Sequence, residues 1–120
     1  MTAKQWKSKL KRFCKAVGTY KKEFDPVIDT LSGILEKRDN AEEQFVQSGS
    51  MAIVKHTNKA GAENLEQNPV LRMVNDLNRD ALAYWRDMGL TPAGLKRIDE
   101  QSMKQRKKSA LGEALKGLGG

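Results

Sequence analysis

Residues Asn68 to Ile98 read NPVLRMVNDLNRDALAYWRDMGLTPAGLKRI, and this stretch decides the fold class. Asn68 can cap a helix that has Pro69 at its first position, where a missing N–H costs nothing. Gly89 can end that helix in the left-handed conformation, and Thr91 followed by Pro92 repeats the start signal for another. Between these marks Val70, Met73, Val74, Leu77, Ala81, Tyr84, Trp85 and Met88 recur at three- and four-residue steps and form one apolar stripe. Arg72, Asp76, Arg79, Asp80, Arg86 and Asp87 fall largely outside it. The stretch therefore predicts two punctuated helices and the joint between them.

Upstream, Asp25 followed by Pro26 predicts a second long helix, with Val27, Ile28, Leu31, Ile34, Leu35 and Phe45 on its apolar face and Gly49 as its stop. Gly33 weakens this helix slightly. At about 20 residues each, the two long helices should be about 30 Å long and pack antiparallel. Before them, Trp6, Leu10, Phe13, Cys14 and Val17 step along one side of a basic amphipathic helix that Gly18 ends. Between the long helices, Met51 to His56 leans toward β structure, and Asn58 and Gly61 favour a turn, so the segment 51–66 reads as either a hairpin or an ordered loop. After Thr91 a short C-terminal helix with Leu95 and Ile98 inward, which could run past Met103, precedes a basic, glycine-rich tail. The expected architecture is all-α, with or without one short β-hairpin: two long antiparallel helices, a basic N-terminal helix and a short C-terminal helix. Its divisions are 1–22, a helical core over 23–100, and a flexible tail over 101–120.

The chain has 120 residues, enough for one domain burying roughly two-thirds of its unfolded surface. Because 38% of residues are hydrophobic and these lie in stripes along long helices, a lone copy would struggle to cover every stripe, and self-association is a natural remedy. Its net charge of +7 is unevenly spread. Residues 1–22 hold eight Lys or Arg and no acid, residues 23–95 hold seven against twelve acids, and residues 96–120 hold seven against three. A mildly acidic body with two basic ends assigns any polyanion to the ends.

Catalytic chemistry finds little to work with. There is no Gly-rich phosphate loop and no Cys or His cluster, and the single histidine, His56, sits in a loop-like KHTNKAG context with no nucleophile near it in sequence. Asp76 and Asp80 share a helix face, but Arg72 and Arg79 are spaced to neutralise them, which reads as a solvated salt-bridge surface rather than a metal pair. Neither a catalytic nor a metal site is expected. One cysteine, Cys14, excludes an internal disulfide, and no apolar run approaches the roughly 20 residues of a membrane span, so a reducing intracellular setting is the default expectation. Binding is better supplied. Lys4, Lys7, Lys9, Lys11, Arg12, Lys15, Lys21 and Lys22 can line a phosphate backbone with salt-dependent, sequence-tolerant affinity. The bland alternative is a lysine-rich surface over an apolar stripe, and a helix lying on anionic membrane fits the same pattern. Lys104, Arg106, Lys107 and Lys108 form a second basic cluster, open to DNA or to a partner protein.

The segment from NP through GLTPAGLKRI closely resembles the C-terminal signature of the P27 family of phage terminase small subunits. Tyr20 to Asp39 (YKKEFDPVIDTLSGILEKRD) and Val54 to Gly61 (VKHTNKAG) are similar to that family's first long core helix and connecting loop, in the same order, so the likeness covers roughly residues 20–100. The resemblance implies a non-enzymatic helical protein that needs no cofactor, assembles into a ring, recognises viral double-stranded DNA in the host cytoplasm, and regulates a large subunit carrying the ATPase and nuclease. The chain departs from many such proteins in lacking a convincing helix-turn-helix before the first core helix, which leaves the N-terminal basic helix as the DNA-binding candidate. On this reading Val27, Ile28, Leu31, Ile34, Leu35 and Phe45, with Val70, Met73, Val74, Leu77, Tyr84, Trp85 and Met88, serve the core and oligomer contacts, and the tail contacts DNA or the large subunit. A small DNA-binding transcriptional regulator and a pure protein adaptor are the rival classes.

Overall fold

The computed structural model describes residues 1–118; Gly119 and Gly120, the end of the expected tail, lie outside the described residues. Its elements run α1 (Ala3–Val17), a 3-10 turn (Lys22–Phe24), α2 (Asp25–Gln47), β1 (Ile53–Thr57), β2 (Glu63–Gln67), α3 (Pro69–Asp87) and α4 (Pro92–Leu118). The 51–66 segment is thus a hairpin rather than a loop. Its strands pair antiparallel from Ile53 opposite Gln67 to Thr57 opposite Glu63, and the Asn58 carboxamide accepts from the Ala60 and Ala62 amides to close the turn.

Each helix begins and ends for local reasons. Thr2 and Gln5 form a reciprocal capping box at the start of α1, and Gly18, at φ +79°, returns its N–H to the carbonyls of Cys14 and Lys15. The Asn68 side chain caps α3 by accepting from the Val70 amide, and it also donates to the Met51 carbonyl, which fastens the end of the hairpin to the helix start. At the start of α2 the sequence expectation shifts by one residue. Phe24 is the cap and Asp25 is already helical, its carboxylate accepting from the Tyr20 hydroxyl instead of capping.

The two long helices are antiparallel. Ile28 near the start of α2 and Met88 at the end of α3 share the core, and farther along Arg38 donates to the Asn78 side chain. α1 lies across α2, also antiparallel, and contributes Leu10 and Cys14 to a core completed by Ile28, Leu31, Leu35, Ala81 and Met88. Of the residues expected inside, Ile28, Leu31, Leu35, Val74 and Met88 are buried, and Ile34, Phe45, Val70, Leu77, Tyr84 and Trp85 are half-buried. Val27 and Met73 are exposed at 39% and 52%. Met73 is carried outward because it lies on the flank of α3 shared with Asp76 and Asp80, off the centre of the buried stripe.

The C-terminal helix departs most from expectation. It is 27 residues long, not short, and runs through the segment expected to be a flexible tail. Residues 99–111 (DEQSMKQRKKSAL) are almost all strong helix formers without a proline, so nothing stops the helix at Met103. At its start Leu95 and Ile98 pack toward Gly89, and a Cβ at Gly94 would run into the Arg86 carbonyl, so only glycine admits this close crossing. The result is an elongated molecule of 84 × 28 × 22 Å. The hairpin stands at one end of the α2–α3 pair, and α4 leaves from the other.

Candidate nucleic-acid interface

Helix α1 carries two kinds of cation, and the fold separates them. Lys7 Nζ lies 2.7 Å from the Asp29 carboxylate, and Lys11 Nζ lies 3.7 Å from Asp25. A hydrogen bond to Asp29 raises the Lys7 pKa above its ordinary value, so its charge is firmly held and already engaged. The pairing follows from geometry. Two lysines four residues apart on α1 meet two aspartates four residues apart on the antiparallel α2, each set aligned along one helix face. That matched spacing was the available signal in the sequence, and it removes two of the eight candidate cations from the free set.

The remaining cations of α1 are not ion-paired among the described residues. Lys4, Arg12 and Lys15 are exposed on the outward face, and on a regular helix Lys4 and Lys15 stand about 16 Å apart. Lys9, half-buried, sits over the Trp6 and Phe13 rings at 5.3 and 5.8 Å; Arg12 sits over Phe13 at 5.6 Å and Lys15 over Tyr20 at 5.1 Å. These ring contacts order the long side chains while leaving their charge uncompensated. Lys21 and Lys22 are exposed where the chain turns into α2.

A polar hub fixes the start of α1, one the sequence did not reveal. The Asp39 carboxylate accepts from the Trp6 indole at 2.7 Å, from Arg38 at 2.9 Å and from the N-terminal ammonium at 3.3 Å, while the Ala3 amide donates to Glu36 at 2.6 Å. Burial works against the Asp39 charge, but the hydrogen bonds from Trp6, Arg38 and the amino terminus outweigh it and hold the carboxyl below the usual carboxylate range. Trp6 in turn stands edge-on to Trp85, with ring centroids 6.3 Å apart. Both tryptophans therefore pack, and α1 is locked to α2 and α3 along its length.

The second basic cluster stands apart from α1. Lys104, Arg106, Lys107 and Lys108 are all exposed on α4 beyond the point where it leaves the body. Asp76 and Arg79 lie 3.7 Å apart on the outer face of α3, the solvated pair their spacing suggests. His56 Nδ1 lies 3.7 Å from Glu66 across the hairpin, both side chains largely exposed. Among the described residues no group of three or more His, Cys, Asp or Glu is arranged to hold a metal, and no helix is long and apolar enough to cross a membrane. Burial pushes the Cys14 thiol up, only partly offset by a hydrogen bond with Thr19, so this cysteine fills space in the core as a neutral thiol.

A family model described as phage terminase, small subunit, matches residues 3–105, which spans α1, the α2–α3 pair, the hairpin and the first half of α4. The chain belongs to the phage terminase small-subunit family. Searches against curated proteins and against solved structures return no match. The family match reaches α1, so the basic helix lies inside the region common to these small subunits rather than being an appendage to it. It ends at Gln105, between Lys104 and Arg106.

Proposed function

We propose that this small terminase subunit, of the P27 type, is the non-catalytic DNA-recognition component of a genome-packaging machine in the host cytoplasm. It assembles into a ring through the α2–α3 body, engages viral double-stranded DNA through α1, and delivers it to the large ATPase and nuclease subunit, with the α4 cluster contacting DNA or that subunit. The observation that carries the reading is the outward row of Lys4, Arg12 and Lys15, uncompensated by acids and mounted on a helix anchored to the core by Leu10 and Cys14. A row of this kind neutralises phosphates without reading bases, so it supplies position and affinity more than sequence choice. Lys9, Lys21 and Lys22 extend it, whereas Lys7 and Lys11 serve mainly to clamp α1 onto α2.

Native mass spectrometry of the DNA-free protein, followed by an ATPase assay with a cognate large subunit, tests the proposal. A closed multi-copy species that stimulates the partner's ATPase is the expected result. A strict monomer at tens of micromolar would sink the ring, and a dimer that footprints a palindrome without affecting any ATPase would indicate a transcriptional regulator instead.

A further inference from the structure

After Ser102, α4 leaves the body, and from Met103 to Leu118 no residue is buried. This arm is a helix of about 24 Å, close to the length at which a lone helix is marginal in water. It also exposes leucines. Leu111, Leu115 and Leu118 are 60–85% accessible, and with Lys104 and Lys108 they step at three- and four-residue intervals along one stripe. That stripe lies roughly 180° round the helix from Leu95, Ile98 and Ser102, which face the body, so the arm cannot lay its leucines on the core of its own chain by simple continuation.

The opposite end of the molecule carries the complementary surface. Where α2 runs beyond the cover of α1, Val46, Met51 and Ile53 are 57–66% exposed. Residues 40–53 include Glu42 and Glu43, both exposed, and no Lys or Arg. Lys55 in the adjoining hairpin is matched by Glu63 at 3.9 Å. The loop that carries Met51 is tied to α2 by the Ser50 amide donating to the Phe45 carbonyl and to α3 through Asn68, so this surface is built, not trailing. One end of the molecule is thus apolar and basic, and the other apolar and acidic.

We propose that residues 103–118 of one copy seat on the Glu42, Glu43, Val46, Met51 and Ile53 surface of a second copy, head to tail. Leu111, Leu115 and Leu118 cover the apolar patch, and Lys107 and Lys108 face Glu42 and Glu43. Arm-to-arm pairing is opposed by charge, since Lys104, Arg106, Lys107, Lys108 and Lys116 stand against the single acid Glu113. The arm's own patch lies at the far end of its α2–α3 pair, away from where α4 departs. A contact between two different surfaces repeats from copy to copy and closes into a ring when the rotation allows. The inference rests on the ring reading for the identity of the occupant; it adds the α4 arm to the body contacts that link the copies, commits Lys107 and Lys108 to that contact, and leaves Lys104 and Arg106 for DNA or the large subunit.

The full chain, without DNA, is compared by analytical ultracentrifugation with three variants: L111S/L115S/L118S, E42K/E43K, and E42K/E43K/K107E/K108E. The altered side chains are solvent-exposed, and circular dichroism checks that each variant keeps its helices. The leucine variant should raise the dissociation constant of the assembly by about 100-fold or more. E42K/E43K should weaken association, and the fourfold exchange should restore it. If the wild type is a monomer at tens of micromolar, this proposal and the ring reading fall together. If the wild type assembles and the leucine variant assembles equally well, or the fourfold exchange recovers nothing, the arm contact is overturned while the ring stands.

Discussion

Replacing Lys4, Arg12 and Lys15 together by Gln should change the salt dependence of DNA binding, whereas replacing Lys7 and Lys11 by Gln should hardly do so. The first three side chains are exposed and not ion-paired, while the other two are already held by Asp29 and Asp25. Each phosphate neutralised on B-form DNA contributes about 0.9 to the slope of log affinity against log salt, so losing three contacts should flatten that slope by about 2.7. Between about 50 and 200 mM salt, this amounts to roughly 40-fold less affinity lost by the triple variant than by the wild type. The Lys7/Lys11 variant should shift the slope by less than about 1. Fluorescence anisotropy with a labelled duplex, titrated at three salt concentrations, measures all three slopes. Equal slope changes in the two variants would refute the division of cations drawn from the ion pairs, and an unchanged slope in the triple variant would remove α1 from the interface.

Two further changes probe the scaffold that holds this helix. Asp39→Ala strips the acceptor from the Trp6 indole and from Arg38, and should cost about 1–2 kcal/mol in urea unfolding at neutral pH. Because the Asp39 carboxyl titrates below its ordinary value in the folded state, its contribution is present above the unfolded pKa of about 4 and disappears as pH falls through the lower folded value. The gap between variant and wild type should therefore narrow on acidification below about pH 4, and a gap unchanged at low pH would contradict the assignment. Gly94→Ala forces a Cβ against the Arg86 carbonyl where α4 crosses α3. It should cost about 2–3 kcal/mol and, in hydrogen exchange, deprotect the start of α4 before α2; a neutral effect would mean that the crossing is looser than described.

The punctuation of the helices was legible because it is local. Gly18, Asn68 with Pro69, Gly89 and Thr91 act on backbone groups within a few residues, and the structure uses each at the place its chemistry favours. The apolar stripes were legible for the same reason, apart from Val27 and Met73 at their edges. What escaped the sequence depends on which helices meet and in what register. The Lys7–Asp29, Lys11–Asp25 and Trp6–Asp39 contacts join residues 14 to 33 positions apart, and their spacing acquires meaning only once α1 is known to run antiparallel to α2. The length of α4 was missed for a different reason: a basic composition with several glycines suggests mobility, yet its helix formers continue the hydrogen-bonded ladder past the last body contact.

The charge partition suggested a basic segment over 1–22 attached to an acidic core, and the packing alters what that partition means. Leu10 and Cys14 are buried in the same cluster as Leu31 and Leu35, and the Thr19 hydroxyl donates to the Met88 carbonyl at 2.8 Å, closing the end of α3 onto the end of α1. The helix bearing the candidate DNA contacts is therefore one wall of the core. Removing it would expose the α2 face that holds Ile28, Leu31 and Leu35, and loss of DNA binding on such a deletion would report loss of the fold as much as loss of the contacts. The coupling also has a functional side. In the proposed ring, a row of cations on a rigid wall would keep its spacing in every copy, so copies arranged by symmetry would present their rows at fixed angles to a single duplex. Individually weak, sequence-tolerant contacts would then act together, and the affinity of such an assembly would be set by how many rows reach the DNA at once.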